Sequence, residues 1–208
     1  ESFMKLLSRS VFSISLMIAV CSGLLAAEAR LTAEESVERY INSILLRANE
    51  LRSYYETDRN YYFSEIESAL TEFVDFREVA RGVMAKYGTG PNGANDEQLS
   101  RFSEVFKASM VDFYGSALAS YGGEKFEILE NSRPPSDPEN ATNIRMMVAA
   151  EDGSRFELQY TMFLNDEGIW KLKNLYVEGV NLRRQYYSRF DSLVSSNGYD
   201  IDKVIDSW

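Results

Sequence analysis

Acid–base or nucleophilic chemistry in this chain would have to rest on carboxylates, tyrosines and serines. The 208 residues include no histidine and one cysteine, which removes the usual general base, the usual zinc ligand and every Ser-His or Cys-His pairing. The strongest carboxylate candidate is Glu178, which ends an extended run beside Gly179. The competing reading is that its carboxylate caps the first turn of a following helix. Acidic pairs such as Glu34-Glu35 and Glu65-Glu67 fall on polar helix faces, where solvated charge accounts for them. A glycosidase pair would need two carboxylates about 5–9.5 Å apart across a cleft, a distance the linear pattern does not specify. The 13 tyrosines fall mostly at helical or strand periods and read as walls rather than acids. The run Gly88-Thr-Gly-Pro-Asn-Gly93 invites a phosphate cradle, but Ala94-Asn95-Asp96 supplies neither the lysine nor the hydroxyl that a P-loop needs. It is expected to be a connector. No catalytic residue, metal site or cofactor is assigned.

Any such groups must be positioned by a domain that begins after a leader. Lys5 and Arg9 precede an apolar, charge-free run from Val11 to Ala26, and Ala27-Glu28-Ala29 has small residues at both positions a signal peptidase reads. Residues 1–29 therefore read as a signal peptide with cleavage after Ala29, and Met4 as the natural start. The rival is an uncleaved anchor, but a spanning helix wants about 20 apolar residues and Ser13, Ser15, Ser22 and Gly23 interrupt this run. Cys21 lies within the leader and follows Val20 rather than a small residue, so acylation is not expected. The mature chain then has no cysteine, which excludes disulfides and thiolate chemistry and fits a periplasm. Residues 30–208 are expected to form a single domain with a substantial core. With 22 basic against 32 acidic side chains the net charge is −10. That field opposes binding to nucleic acid and stable membrane insertion of the mature chain, while leaving room for brief docking on a basic partner.

Hydrophobic periods give the order of elements. Thr32 and Glu35 form a capping box ahead of a stripe of Val37, Tyr40, Ile41, Ile44, Leu45, Ala48 and Leu51. A short link and a second helix fill 52–73, and a third helix starts near Asp75 with Phe76, Val79, Ala80, Val83 and Met84 inward. Asn95 or Asp96 caps a long aromatic helix that Gly122-Gly123 stops. The period then changes to two. Short strands are expected at 125–131 and 143–150, separated by a proline-bearing loop, and Asp152-Gly153 turns the chain into Phe156, Leu158, Tyr160, Met162 and Leu164. Asn165–Gly168 is a hairpin turn, Trp170 and Leu172 alternate with lysines beyond it, and Gly179 ends that strand. Leu182, Tyr186, Phe190, Leu193 and Val194 return to helical spacing, and 200–208 is a last short helix. The fold class is α+β: N-terminal helices packed on one face of a curved four-stranded antiparallel sheet, followed by a C-terminal helix.

Facing apolar surfaces are the feature most in need of explanation. Twelve phenylalanines, thirteen tyrosines and seven methionines are rich in residues that line irregular or greasy walls. Spacing places Val79, Val83, Phe102, Phe106, Met110 and Tyr114 on a helical wall. Strand parity places Ile144, Met146 and Val148 on a sheet wall, together with Phe156, Leu158, Tyr160, Met162, Trp170 and Leu172. Val180, Leu182 and Tyr186 belong to the corner at Gly179. Two such walls either meet as a solid core or hold a hollow between them, and the pattern alone leaves both open.

A resemblance bears on that choice. The hairpin with its Gly168-Ile-Trp-Lys171 run, then Asn174, Glu178, Gly179, Val180, Asn181 and Leu182, then the pair Tyr186-Tyr187 and Phe190, resembles the C-terminal signature of the MlaC family. These are periplasmic phospholipid-binding proteins, also called toluene-tolerance proteins. The likeness extends to Phe76–Met84 and to the helix around Phe102, Phe106 and Tyr114, so it covers nearly the whole mature chain. Tyr187 stands where the family usually has an arginine, and no role of that arginine carries over. The resemblance implies an apolar cavity between the layers that shields the acyl chains of a phospholipid cargo, with the wall and corner residues above as candidate lipid contacts, about half of them touching cargo. It further implies a periplasmic carrier without enzymatic activity. Its partners would be an inner-membrane ABC lipid-transport complex and an outer-membrane lipoprotein complex, and its role the maintenance of outer-membrane lipid asymmetry. A carrier of another lipid, such as a hopanoid or a fatty acid, and a small α+β enzyme using Glu178 are the alternatives.

Overall fold

Every long helix begins where a side chain can satisfy the free amide groups of its first turn. We describe residues 31–88, 93–129, 140–150 and 152–208 in a computed structural model. The leader, the middle of the Gly88–Gly93 connector and the proline-bearing loop lie outside the described residues. Helix α1 (Ala33–Glu50) carries the expected capping box, with the Glu35 amide donating to Thr32 Oγ1 at 3.1 Å and the Thr32 amide donating to Glu35 Oε2 at 2.8 Å. A one-turn helix α2 (Tyr54–Thr57) occupies what reads in sequence as a bare link. Asp58 caps α3 (Arg59–Phe73) and Asp75 caps α4 (Phe76–Met84). Asn95, rather than Asp96, is the cap of α5 (Asp96–Ala119), in a reciprocal pair with Gln98.

The sheet has five strands in the order β1 (Lys125–Leu129), β2 (Ala141–Ala149), β3 (Arg155–Leu164), β4 (Trp170–Val177) and β5 (Val180–Asn181), each antiparallel to the next. Four were expected. The fifth arises because Glu178 and Gly179 both adopt positive φ, 50° and 76°, as the central residues of a type I′ turn do. That turn lays Val180 and Asn181 back on β4 instead of releasing the chain into helix at the glycine. Helix α6 (Leu182–Ser196) follows, and α7 (Ile201–Asp206) closes the described chain.

One irregularity sets the inner face of β4. The β3–β4 register shifts between Thr161 and Met162, with Thr161 opposite Asn174 and Met162 opposite Leu172. Lys173 is therefore an extra residue, a β-bulge that reverses side-chain parity beyond it. The carbonyl of Leu172 beside the bulge accepts from the Asp75 amide at 3.1 Å, and Val74 bridges Leu172 in parallel. The link between α3 and α4 is thus tied to the sheet.

Burial divides into clusters. One is made by α4, α5, α6 and α7 around Val83, Phe102, Phe106, Phe190 and Val204. A second is made by α1, the end of α3 and the sheet around Val37, Phe73, Ile144, Tyr160 and Met162. A small third joins α1 to α3 through Ala48, Leu51, Tyr62 and Ile66, where the Tyr62 hydroxyl donates to the carbonyl of Gly115 on α5 at 2.9 Å. Phe63 packs so close to Gly115 that a methyl there would lie 2.8 Å from its ring. That glycine is what allows α3 and α5 to approach.

Candidate functional site

The helical cluster and the sheet cluster do not close on each other. Between them lies a cavity of about 760 Å³, in the upper part of the roughly 300–1,000 Å³ typical of small-molecule pockets. Its helical wall includes Val79, Phe106, Met110 and Tyr114, and its sheet wall Met146, Val148, Phe156, Leu158, Tyr160 and Leu172. Leu182 and Tyr186 line it from the start of α6. Spacing and strand parity place the helical and sheet residues on these walls, and Leu182 and Tyr186 come from the corner at Gly179.

Six residues with the same sequence credentials do not reach the space. Val83 and Phe102 are fully buried within the helical cluster. Phe102 meets Phe190 edge-on at 4.9 Å and Trp208 at 5.1 Å between ring centres, so α5 packs on helices at Phe102 and faces the hollow from Phe106 onward. Ile144, Met162 and Trp170 occupy the sheet end marked by the Leu164–Trp170 pair, where they pack with Ala33 and Val37 of α1 as ordinary core. Val180 is 46% exposed, because the type I′ turn places it on an edge strand.

Other wall residues were not singled out as contacts. Ile41, Ile44 and Leu45 line the cavity from α1, and Leu70, Phe73 and Phe76 from α3 and α4. Leu118, Tyr121 and Phe126 line it from the junction of α5 with β1. The α1 stripe was visible in the helical period, but the period does not say that the stripe meets a void. Leu175 and Val177 also line the cavity. Strict alternation from Trp170 and Leu172 would turn them outward, and the bulge at Lys173 turns them in.

The wall is chemically quiet. Burial pushes the Tyr160 hydroxyl well above its ordinary range, and burial together with a hydrogen bond to Tyr186 does the same for Tyr114. Both stay neutral at any physiological pH. The only charged lining residues among those described are Glu124 and Arg183. Glu124 stands at the end of the sheet where Lys125 pairs with Ala149 and Ala149 with Arg155, and Arg183 lies level with Asn174 of β4. Glu124 precedes the first edge strand and Arg183 follows the opposite one, so the anionic and the cationic lining residue stand at opposite edges of the sheet. Glu124 takes the Gly122 amide at 3.0 Å. Arg183 is held through its backbone, its amide donating to Asn174 Oδ1 at 3.2 Å.

Glu178 neither lines the cavity nor caps the following helix. It is exposed, and its carboxylate accepts from the Glu157 amide while its own amide donates to the Glu157 carbonyl at 2.9 Å. The cap of α6 is Asn181, which takes the Arg184 amide at 3.0 Å. No group of three or more His, Cys, Asp or Glu that could hold a metal ion occurs among the described residues, and no described helix is long and apolar enough to cross a membrane.

Comparison with known proteins matches this arrangement. The family model described as MlaC protein covers residues 38–208. The toluene tolerance protein ttg2D of Pseudomonas putida is 28% identical over 202 residues, spanning 96% of this chain and 90% of its own. The solved structure of a phospholipid-binding protein from Ralstonia solanacearum, in complex with a phospholipid, has the same fold with a TM-score of 0.72 at 18% identity, covering 85% of this chain and 94% of that one.

Proposed function

The chain belongs to the MlaC family, and from that premise we propose that it is a phospholipid carrier, holding acyl chains in the cavity while the headgroup stays near solvent. The observation that carries this reading is an apolar hollow of about 760 Å³ whose only charged lining residues, among those described, are Glu124 and Arg183, beside opposite edge strands of the sheet. The phospholipid complex of the Ralstonia solanacearum protein, which shares the fold, supports it.

The energetics suit a shuttle. Burying a methylene away from water is worth about 0.8 kcal/mol, so ten of them contribute roughly 8 kcal/mol. This holds the cargo firmly against escape into water. A bilayer interior is as apolar as the cavity, so exchange with a membrane forfeits little of that energy, and release needs only a contact that opens the wall. Nothing covalent is required, and the neutral tyrosines and the outward-lying Glu178 fit a non-enzymatic role.

In the fuller reading the chain is exported to the periplasm after cleavage following Ala29. It carries phospholipid between an inner-membrane ABC complex and an outer-membrane lipoprotein complex, and so helps maintain outer-membrane asymmetry. Organic extraction of the purified protein followed by mass spectrometry tests the cargo. Stoichiometric diacyl phospholipid is expected. A hopanoid or a free fatty acid would reassign the cargo, and an empty extract from protein exposed to membranes would remove the carrier reading.

A further inference from the structure

Within the carrier reading, on which this inference rests, we propose that Arg183 binds the phosphodiester of the cargo and makes this carrier selective for phosphate-bearing lipids. The chain carries 32 acidic and 22 basic side chains, and several of its arginines pair with carboxylates. Arg47 has Glu65, Arg77 has Asp96, Arg101 has Asp202 and Asp206, and Arg145 has Glu157. Arg183 is half-buried on the wall of an apolar cavity and has no carboxylate partner among the described residues. A guanidinium so placed has lost part of its hydration without an ion pair in return, which is unfavourable unless a ligand completes it. Its planar fork fits two phosphate oxygens.

The surroundings are built to hold it there. Gly82 on α4 faces the side chain, and a methyl at that position would sit 2.5 Å from Arg183 Cδ and 3.2 Å from Nη1. Any larger residue at 82 would displace the arginine. Beneath it, the Arg183 amide is fixed by Asn174, which is 5% exposed, and the Asn174 amide group donates to Asn181 Oδ1 at 3.1 Å. Asn181 in turn donates to the Tyr176 hydroxyl at 3.0 Å. This chain of hydrogen bonds locks the first turn of α6 to β4, so the side chain leaves a rigid base. The other charged lining residue, Glu124, flanks the opposite edge strand, which leaves an anion at Arg183 clear of it.

The test uses lipid-free protein titrated with phosphatidylglycerol and with a diacylglycerol bearing the same fluorescent chains. Wild type is expected to bind the phospholipid at least tenfold more tightly than the diacylglycerol. Arg183→Gln should lose about tenfold for the phospholipid and nothing for the diacylglycerol, and Gly82→Ala, which leaves the charge but displaces it, should lose in the same direction. Thermal unfolding of both variants confirms that the fold is kept. Equal phospholipid affinity in wild type and Arg183→Gln would overturn the role of Arg183 and leave the carrier intact, whereas no binding of either lipid by wild type would bring down both. Saturable binding of inorganic phosphate, lost in Arg183→Gln, with no preference between the two lipids, would make this a free-anion site and also overturn the proposal.

Discussion

Glu157 and Glu178 lie side by side on the outer surface of the hairpin, and their partners give them different consequences. Two hydrogen bonds from Arg145, at 2.9 and 2.6 Å, hold the Glu157 carboxyl below the usual carboxylate range. Bonds from the Tyr87 hydroxyl at 2.5 Å and from Lys86 at 2.9 Å do the same for Asp191. A carboxylate with a depressed folded-state pKa contributes stability that is fully present above its unfolded value and is lost as pH falls through the folded one. Urea midpoints should therefore hold steady from neutral pH down to the ordinary carboxylate range and decline below it. Glu157→Gln should flatten part of that decline, and a decline of unchanged size would mean that the pair contributes nothing. Glu178, by contrast, only accepts one exposed backbone amide, which a glutamine oxygen also accepts. Glu178→Gln is expected to change stability by less than about 0.5 kcal/mol and to leave lipid occupancy unchanged. A large loss in either assay would give that carboxylate a role the geometry does not explain.

The decisive element is the corner where β4, β5 and α6 meet. Asn181 serves as partner to Asn174 and Tyr176 and as the cap of α6 at the same time. Removing a cap costs about 1 kcal/mol, and leaving a buried amide unpaired costs roughly 1–3 more. Asn181→Ala should accordingly lower the unfolding free energy by about 2–4 kcal/mol in urea titrations, and a loss near zero would show that water replaces the cap without penalty. The legibility of this corner was mixed. The glycine break and the helical spacing after it stood out in sequence, and so did the family motif around Asn174 and Asn181. The two-residue β5 did not, because it depends on Glu178 taking a positive φ that a non-glycine residue rarely adopts. The bulge at Lys173 has no compositional mark of its own, so the inward turn of Leu175 and Val177 was hidden.

For the molecule as a whole, the cavity is a trade of packing for capacity. An apolar hollow has no partner atoms on one side, so its walls forgo dispersion contacts that a filled core would make. Bound cargo should restore them. Thermal midpoints are expected to rise when lipid is added to the lipid-free protein, as mass action requires of a ligand that binds only the folded state. Leu158→Trp, which fills the middle of the sheet wall, should cut phospholipid occupancy at least tenfold while leaving the lipid-free thermal midpoint unchanged or higher. A parallel loss of folding and binding would indicate that Leu158 is packed core rather than wall.

The amino-acid sequence alone determined the chemistry available and the types of element. The absence of histidine, the acidic balance, the caps at Thr32 and Asn95, and the change of period after Gly122-Gly123 are local facts that need no third dimension. The family likeness was equally legible, because it rests on residue types in order. Whether facing stripes meet or stand apart was decided only by tertiary structure. Phe102 and Phe106 lie four residues apart with identical chemistry, yet only Phe106 borders the hollow. Ile144 and Met146 share one face of one strand, yet α1 covers the first and the cavity opens over the second. Period reports which side of an element is apolar, and the distance to whatever faces that side depends on how distant segments pack.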